Sequence, residues 1–164
     1  MTIHQHPARP SLKTFSVLIA TWFGSGYLPK APGTWGSLAA LPFAWFIVQH
    51  YGVWPLLVAS VVLYFIGIWA ANGYMAKTGT HDPGPVVVDE VVGQWLVLCV
   101  MPLDVLWYLV GFAVFRLFDI IKPWPIKWLD HKVEGGFGVM IDDVGAAIYG
   151  ICLVLVVQYG LGHF

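Results

Sequence analysis

Two pairs of adjacent carboxylates stand in surroundings that offer them little water. Asp89 and Glu90 sit between Val86-Val87-Val88 and Val91-Val92, and Asp142 and Asp143 follow Gly135-Gly136-Phe137-Gly138 and lead into an apolar run. Neighbouring carboxylates in an apolar setting repel one another and lose hydration. A bound cation offsets both costs, and Mg²⁺ prefers a few carboxylates together with phosphate oxygens. Asp89, Glu90, Asp142 and Asp143 are therefore candidate metal ligands. The competing structural reading is that each pair complements the dipole at a helix start, with Asp142 as an N-cap.

Basic residues supply the other half of a phosphate site. Arg116, Asp119 and Lys122 recur at intervals of three, so they share one broad helix face. An Arg or Asp at the centre of a membrane helix costs about 2.5–3.5 kcal/mol on insertion scales, so such residues are by default functional or paired. Here the alternative is an Arg116–Asp119 ion pair that serves packing alone. Upstream, Gly24-Ser25-Gly26-Tyr27-Leu28-Pro29-Lys30-Ala31-Pro32-Gly33-Thr34 forms a Gly/Pro-rich loop before an apolar stretch. Thr34 is the expected N-cap of the helix that follows, and a helix N-terminus attracts phosphate. Lys30, Thr34, Arg116 and Lys122 are thus candidate substrate-binding residues. Asp119 is either a further ligand or the group that orients Arg116. His81, in the polar segment His81-Asp82-Pro83-Gly84, is a candidate proton donor to a leaving oxygen. Carboxylates for a divalent cation beside cations for a phosphate are what metal-assisted phosphoryl chemistry requires.

The elements that must position these groups belong to a bilayer. Of 164 residues, 59% are hydrophobic and 10% charged, against roughly 25% charged in a soluble domain. Nine Trp, seven Tyr and ten Phe add anchors suited to the headgroup region. The expectation is an all-α, polytopic membrane helical bundle forming a single domain over residues 1–164, with 1–13 as a flexible cytoplasmic N-terminus. Apolar stretches at Trp35–Gln49, Val53–Ala71, Val91–Met101, Val105–Ile121 and Val144–Val157 predict about five transmembrane helices. Several fall short of the ~20 residues a straight span needs, and the third must borrow from Val86–Glu90. Tight connectors at Tyr51-Gly52 and Pro102-Leu103-Asp104 make neighbours antiparallel, whereas Gly73–Pro85 and Lys122–Ile141 read as long polar loops.

Charge fixes the expected orientation. With the N-terminus in the cytoplasm, Arg9, Lys13, Lys30, Lys77, Lys122, Lys127 and Lys132 fall on that side and Arg116 lies near it. The opposite turns hold His50 and Asp104 but no Lys or Arg, which is the positive-inside pattern. Phe15–Tyr27 is bracketed by Lys13 and Lys30 and is too short to cross and return, so an N-terminal interfacial or re-entrant segment is expected. Its outline also suits a signal peptide, a reading that Lys30 immediately downstream opposes. The net charge of −1 argues against nucleic acid. Cys99 and Cys152, both in apolar runs, read as buried thiols, and no Cys/His spacing suggests zinc.

The stretches GSGYLPKAPGTWGS, HDPGPVVVDEVVGQW, FRLFDIIKPWPIKWLD and GGFGVMIDDVGA, in that order over about Phe23–Gly150, resemble those of the phosphatidylglycerophosphatase A family. The resemblance implies an all-helical, Mg²⁺-dependent enzyme of the bacterial inner membrane that serves phospholipid biosynthesis. It would hydrolyse phosphatidylglycerol phosphate to phosphatidylglycerol and inorganic phosphate. A lipid phosphomonoester keeps its acyl chains among the membrane lipids and its headgroup in the interface, so an active site on the cytoplasmic side meets it there. The role of each acidic residue rests on spacing and not on the resemblance. A metal-activated water is the simplest nucleophile, with an aspartyl phosphate as the alternative. A cation-coupled membrane transporter would also bury carboxylates, but near the midplane between broken helices. The Asp/Gly string of CDP-alcohol phosphotransferases and the PSGH-like segment of histidine-based lipid phosphatases are both absent.

Overall fold

The computed structural model describes residues 9–81, 83–160 and 162, with side chains except at 129–131. Residues 1–8 of the expected N-terminal tail, and Asp82, lie outside the described residues. Among the described residues the fold is all-helical, without strands: α1 (Phe15–Ala20), α2 (Pro32–Tyr51), α3 (Val53–Thr78), α4 (Val88–Leu98), α5 (Val105–Ile121), α6 (Ile126–Lys132) and α7 (Gly135–Gly160).

Local chemistry sets most helix ends. Gly52, at φ 86°, closes α2 and opens α3 as the expected tight reversal. Asp104 caps α5, its carboxylate accepting the Leu106 and Trp107 N–H groups at 2.9 and 3.2 Å. Pro123 and Pro125 follow the end of α5, and the chain resumes as α6. At α2 the expectation needs correction. The helix starts at Pro32, whose fixed φ suits a first helical position and whose missing N–H is no loss there. The N-cap is Ala31, without a side-chain cap, and Thr34 lies inside the first turn.

The two expected polar loops are shorter than predicted. α3 continues past Ala71 to Thr78, and α7 begins at Gly135 instead of Val144. The glycine run 135–138 is thus not a flexible loop but the first turn of α7. Its glycines serve close approach: a Cβ at Gly136 would lie 2.3 Å from the Ile68 carbonyl oxygen, and one at Gly138 would lie 2.0 Å from that of Val133. The Gly136 N–H donates to Asn72 Oδ1 of α3 at 2.8 Å, so the cap comes from 64 residues away.

The bundle is built around α4. Nine of its eleven residues are buried, and α2, α3, α5 and α7 all pack on it. Small residues allow the approach: a Cβ at Gly36 of α2 would lie 2.6 Å from Val87 Cβ, and one at Gly93 of α4 would lie 2.4 Å from the Phe115 ring. Such contacts carry helix association where the surrounding solvent is itself apolar. The exterior matches that setting, with Trp54 77%, Leu106 68% and Phe65 66% exposed. α3 and α7, at 26 residues each, are long and apolar enough to cross a membrane, with mean hydropathies of 2.1 and 2.0. They are the two described helices that meet this test, against the five spans expected. α4, at 11 residues, extends only about 16 Å, roughly half a hydrocarbon core. It is sheathed by its neighbours, and by itself it is too short for the span expected over Val91–Met101.

The N-terminal segment is built into this bundle. α1 lies against α3, and a reversal through Trp22 and Phe23, at φ 43° and 56°, turns the chain back. The Ala20 carbonyl accepts the Val87 N–H at 2.8 Å, tying α1 to the entry of α4. Both cysteines are free as expected, but Cys152 is exposed on the bundle surface instead of buried.

Candidate active site

Three carboxylates from two helices meet at the N-terminal end of α4. Asp89 and Glu90 occupy its first turn, and Asp143 comes from α7, two turns inside that helix. Gly93, one turn beyond Asp89, lets α4 approach the Asp143 backbone: a Cβ there would lie 3.0 Å from the Asp143 carbonyl oxygen. One oxygen from each of Asp89, Glu90 and Asp143 lies within 4.8 Å of the others. Asp89 and Asp143 are buried, the latter 3% exposed. Asp89 Oδ1, Glu90 Oε2 and Asp143 Oδ2 are each buried without a hydrogen-bond partner among the described residues.

The four expected ligands therefore divide. Asp143 joins Asp89 and Glu90, whereas Asp142 is engaged by a cation. Asp142 Oδ2 accepts from Lys122 Nζ at 2.5 Å, and its Oδ1 accepts the Asp143 N–H at 3.1 Å. It stands outside the three-carboxylate group, and nothing supports it as an N-cap inside α7. The dipole reading suits Asp89 and Glu90 at a helix start, but it accounts for neither Asp143 nor the unpartnered oxygens.

The cations arrange themselves around this centre. Arg116 of α5 is ion-paired with Asp119 one turn on, and its Nη1 lies 3.8 Å from Glu90 Oε1. Arg116 Nε is buried without a partner. The first turn of α2 abuts the same two side chains: a Cβ at Gly33 would lie 2.0 Å from Glu90 Oε1 and 3.0 Å from Arg116 Nη1. Thr34 follows directly and is half-buried, while Lys30 is exposed on the preceding loop. Lys30 and Lys122 both occupy the left-handed region, at φ 58° and 44°, at a cost of roughly 1–3 kcal/mol each. Lys122 is thus brought to the site through Asp142, and not along the α5 face shared by Arg116 and Asp119. His81 is exposed, and no contact joins it to the carboxylates among the described residues.

One residue escaped the sequence reading. Gln94 is fully buried, and both polar atoms of its amide lack partners among the described residues. It lies one turn beyond Glu90 on the same side of α4. The available signal was a lone amide in an apolar helix, four residues after a carboxylate.

Gly33 yields a direct prediction. In Gly33→Ala the new methyl meets a movable carboxylate end and not backbone, so the fold survives while Glu90 is displaced. Turnover is expected to fall about 10–100-fold, as for ångström-scale misplacement of a group in an active site, with the thermal unfolding midpoint nearly unchanged. Unfolding of the variant in detergent would contradict this.

The fold and site define an all-helical protein with an apolar exterior and a buried acidic centre flanked by arginine. Residues 18–158 match the family model of phosphatidylglycerophosphatase A, and the chain belongs to that family. It is 45% identical to a Haemophilus influenzae phosphatidylglycerophosphatase A over 143 residues, covering 87% of this chain and 88% of that protein. It is 40% identical to the Escherichia coli K12 phosphatidylglycerophosphatase A over 164 residues, covering 98% and 92%. A Bacteroides thetaiotaomicron protein with the provisional name phosphatidylinositol-3-phosphatase is 43% identical over 162 residues, covering 94% and 99%. No solved structure matches the chain. These relatives lend no support to the transporter alternative.

Proposed function

We propose that this protein hydrolyses the terminal phosphate of phosphatidylglycerol phosphate in phospholipid biosynthesis, using Mg²⁺ held by Asp89, Glu90 and Asp143. The observation that carries the reading is the buried trio of oxygens without hydrogen-bond partners, which a hard divalent cation would satisfy. When bound, Mg²⁺ would polarise a phosphoryl oxygen and acidify a water molecule. Arg116, beside Glu90, neutralises phosphate oxygens, and Asp119 fixes the guanidinium through their ion pair. The first turn of α2, with Gly33 against Glu90 and Thr34 next to it, forms the wall on which the phosphate rests. Lys122, oriented by Asp142, adds positive charge, and Lys30 on the loop before α2 is an outer contact. His81 is the proposed proton donor on sequence grounds alone.

The same reading places the protein in the bacterial inner membrane as a multi-pass enzyme. α2, α3, α5 and α7 would cross, while α4 and the loop before it would complete the fifth passage. Every Lys, together with Arg9, falls in the segments at the end of the bundle where α4 begins, which supports a site on the cytoplasmic side.

The test is phosphate release by purified protein from phosphatidylglycerol phosphate, phosphatidic acid and phosphatidylinositol 3-phosphate in matched detergent micelles. The highest kcat/KM is expected for phosphatidylglycerol phosphate. Preference for the inositol lipid would move the assignment toward the name of the Bacteroides relative, and inertness toward all three would overturn it.

A further inference from the structure

We propose that the apolar groove between α3, α4 and α7 holds one acyl chain of the lipid phosphomonoester while its headgroup is hydrolysed. The proposal rests on the functional reading above and extends it to the hydrophobic half of the substrate. The groove encloses about 440 Å³, within the roughly 300–1,000 Å³ of small-molecule sites. Its lining is nearly all hydrocarbon, with Val61 and Phe65 from α3, Val92 and Leu96 from α4, and Ile141 and Val144 from α7. The Ser60 hydroxyl at its wall is already committed to the Leu56 carbonyl at 2.8 Å. Apart from the Tyr64 phenol, which also lines the groove, little is left to recognise a polar headgroup, and much to receive a chain.

Position ties the groove to the carboxylates. Val92 and Leu96 follow Asp89 by one and two turns on the same side of α4, and Val144 follows Asp143. The wall therefore leads away from the acidic centre for about 10 Å along the helix axis, the course a chain takes from a headgroup seated there. The lip is open sideways, with Val61 half exposed and Phe65 and Phe137 exposed, so a lipid enters from the bilayer without leaving it. Two other cavities, at Trp45 and Tyr108 and at Cys99 and Gln158, lie by the opposite end of α4 or the start of α5.

The experiment compares two substrates with the same phosphorylated headgroup, one with long acyl chains in micelles and one short-chain and water-soluble. Val61→Trp narrows the lip from a half-exposed position, where a larger side chain need not disturb the core. The expected result is a KM raised at least tenfold for the long-chain substrate, with short-chain turnover within twofold of the wild type. Val61→Ala, which widens the lip, should leave both parameters near wild type. Equal kinetics of Val61→Trp on both substrates, changed or unchanged, would mean that the groove holds an annular lipid only. A shift of oligomeric state on gel filtration in Val61→Trp would make a second copy of the chain the occupant. Either result overturns the proposal. If the wild type releases phosphate from neither substrate, the functional reading itself has failed, which is a separate outcome.

Discussion

Asp89→Asn and Asp143→Asn should each leave a folded protein whose turnover is lower by a factor of about 10² or more, the loss expected when a contact to transition-state charge disappears. Both carboxylates are buried, each has one oxygen within 4.8 Å of those of the other members of the group, and each has an oxygen without a hydrogen-bond partner among the described residues. Asn preserves shape and removes the charge. The sign of the stability change separates this account from the structural alternative. Without a cation the three carboxylates repel one another, so neutralising one should hold or raise the unfolding temperature of metal-free protein. Asp142→Asn should do the reverse, because it breaks the pair with Lys122. Phosphate release and thermal unfolding, measured side by side, check both statements. Near-normal turnover in Asp89→Asn and Asp143→Asn would remove the metal assignment and leave the helix-dipole reading.

Arg116→Lys should fail to restore the activity lost in Arg116→Leu. Lysine keeps the charge but not the planar fork that grips two oxygens together. Arg116 also pairs with Asp119, with both side chains largely buried. Removing one member of such a pair strands the other at about 3–5 kcal/mol, so single variants mix folding with function. The double variant Arg116→Leu with Asp119→Leu removes both charges. If the pair serves packing alone, stability and turnover recover together. If Arg116 contacts phosphate, stability recovers and turnover stays low. An active double variant would end the claim that α5 carries chemistry.

The helices were legible where their signals are local. Apolar runs located α2, α3, α5 and most of α7, and Gly52 and Asp104 marked reversals with side chains or φ values that act on adjacent residues. The start of α7 was not legible, because its cap is Asn72 of another helix. Glycines at 135–138 signal flexibility in sequence, yet they serve contact with Ile68 and Val133. Thr34 has the chemistry of an N-cap, but Pro32 two residues earlier begins the helix first. The acidic pairs were found by composition, and their division was not, since it depends on how α7 packs against α4 at Gly93. Lys122 likewise has the spacing of an α5 face, but the helix ends at Ile121 and delivers it to Asp142. Gln94 was hidden by the apolar run around it, and its isolation shows only once α4 is enclosed by its neighbours.

The most direct measurement is phosphate release from phosphatidylglycerol phosphate by protein stripped with a chelator and then titrated with Mg²⁺. The account predicts negligible turnover in the chelated protein, recovery on adding Mg²⁺, and a higher Mg²⁺ requirement in Glu90→Gln, which retains Asp89 and Asp143. Full turnover in excess chelator, with the same rate before and after Mg²⁺, would contradict it.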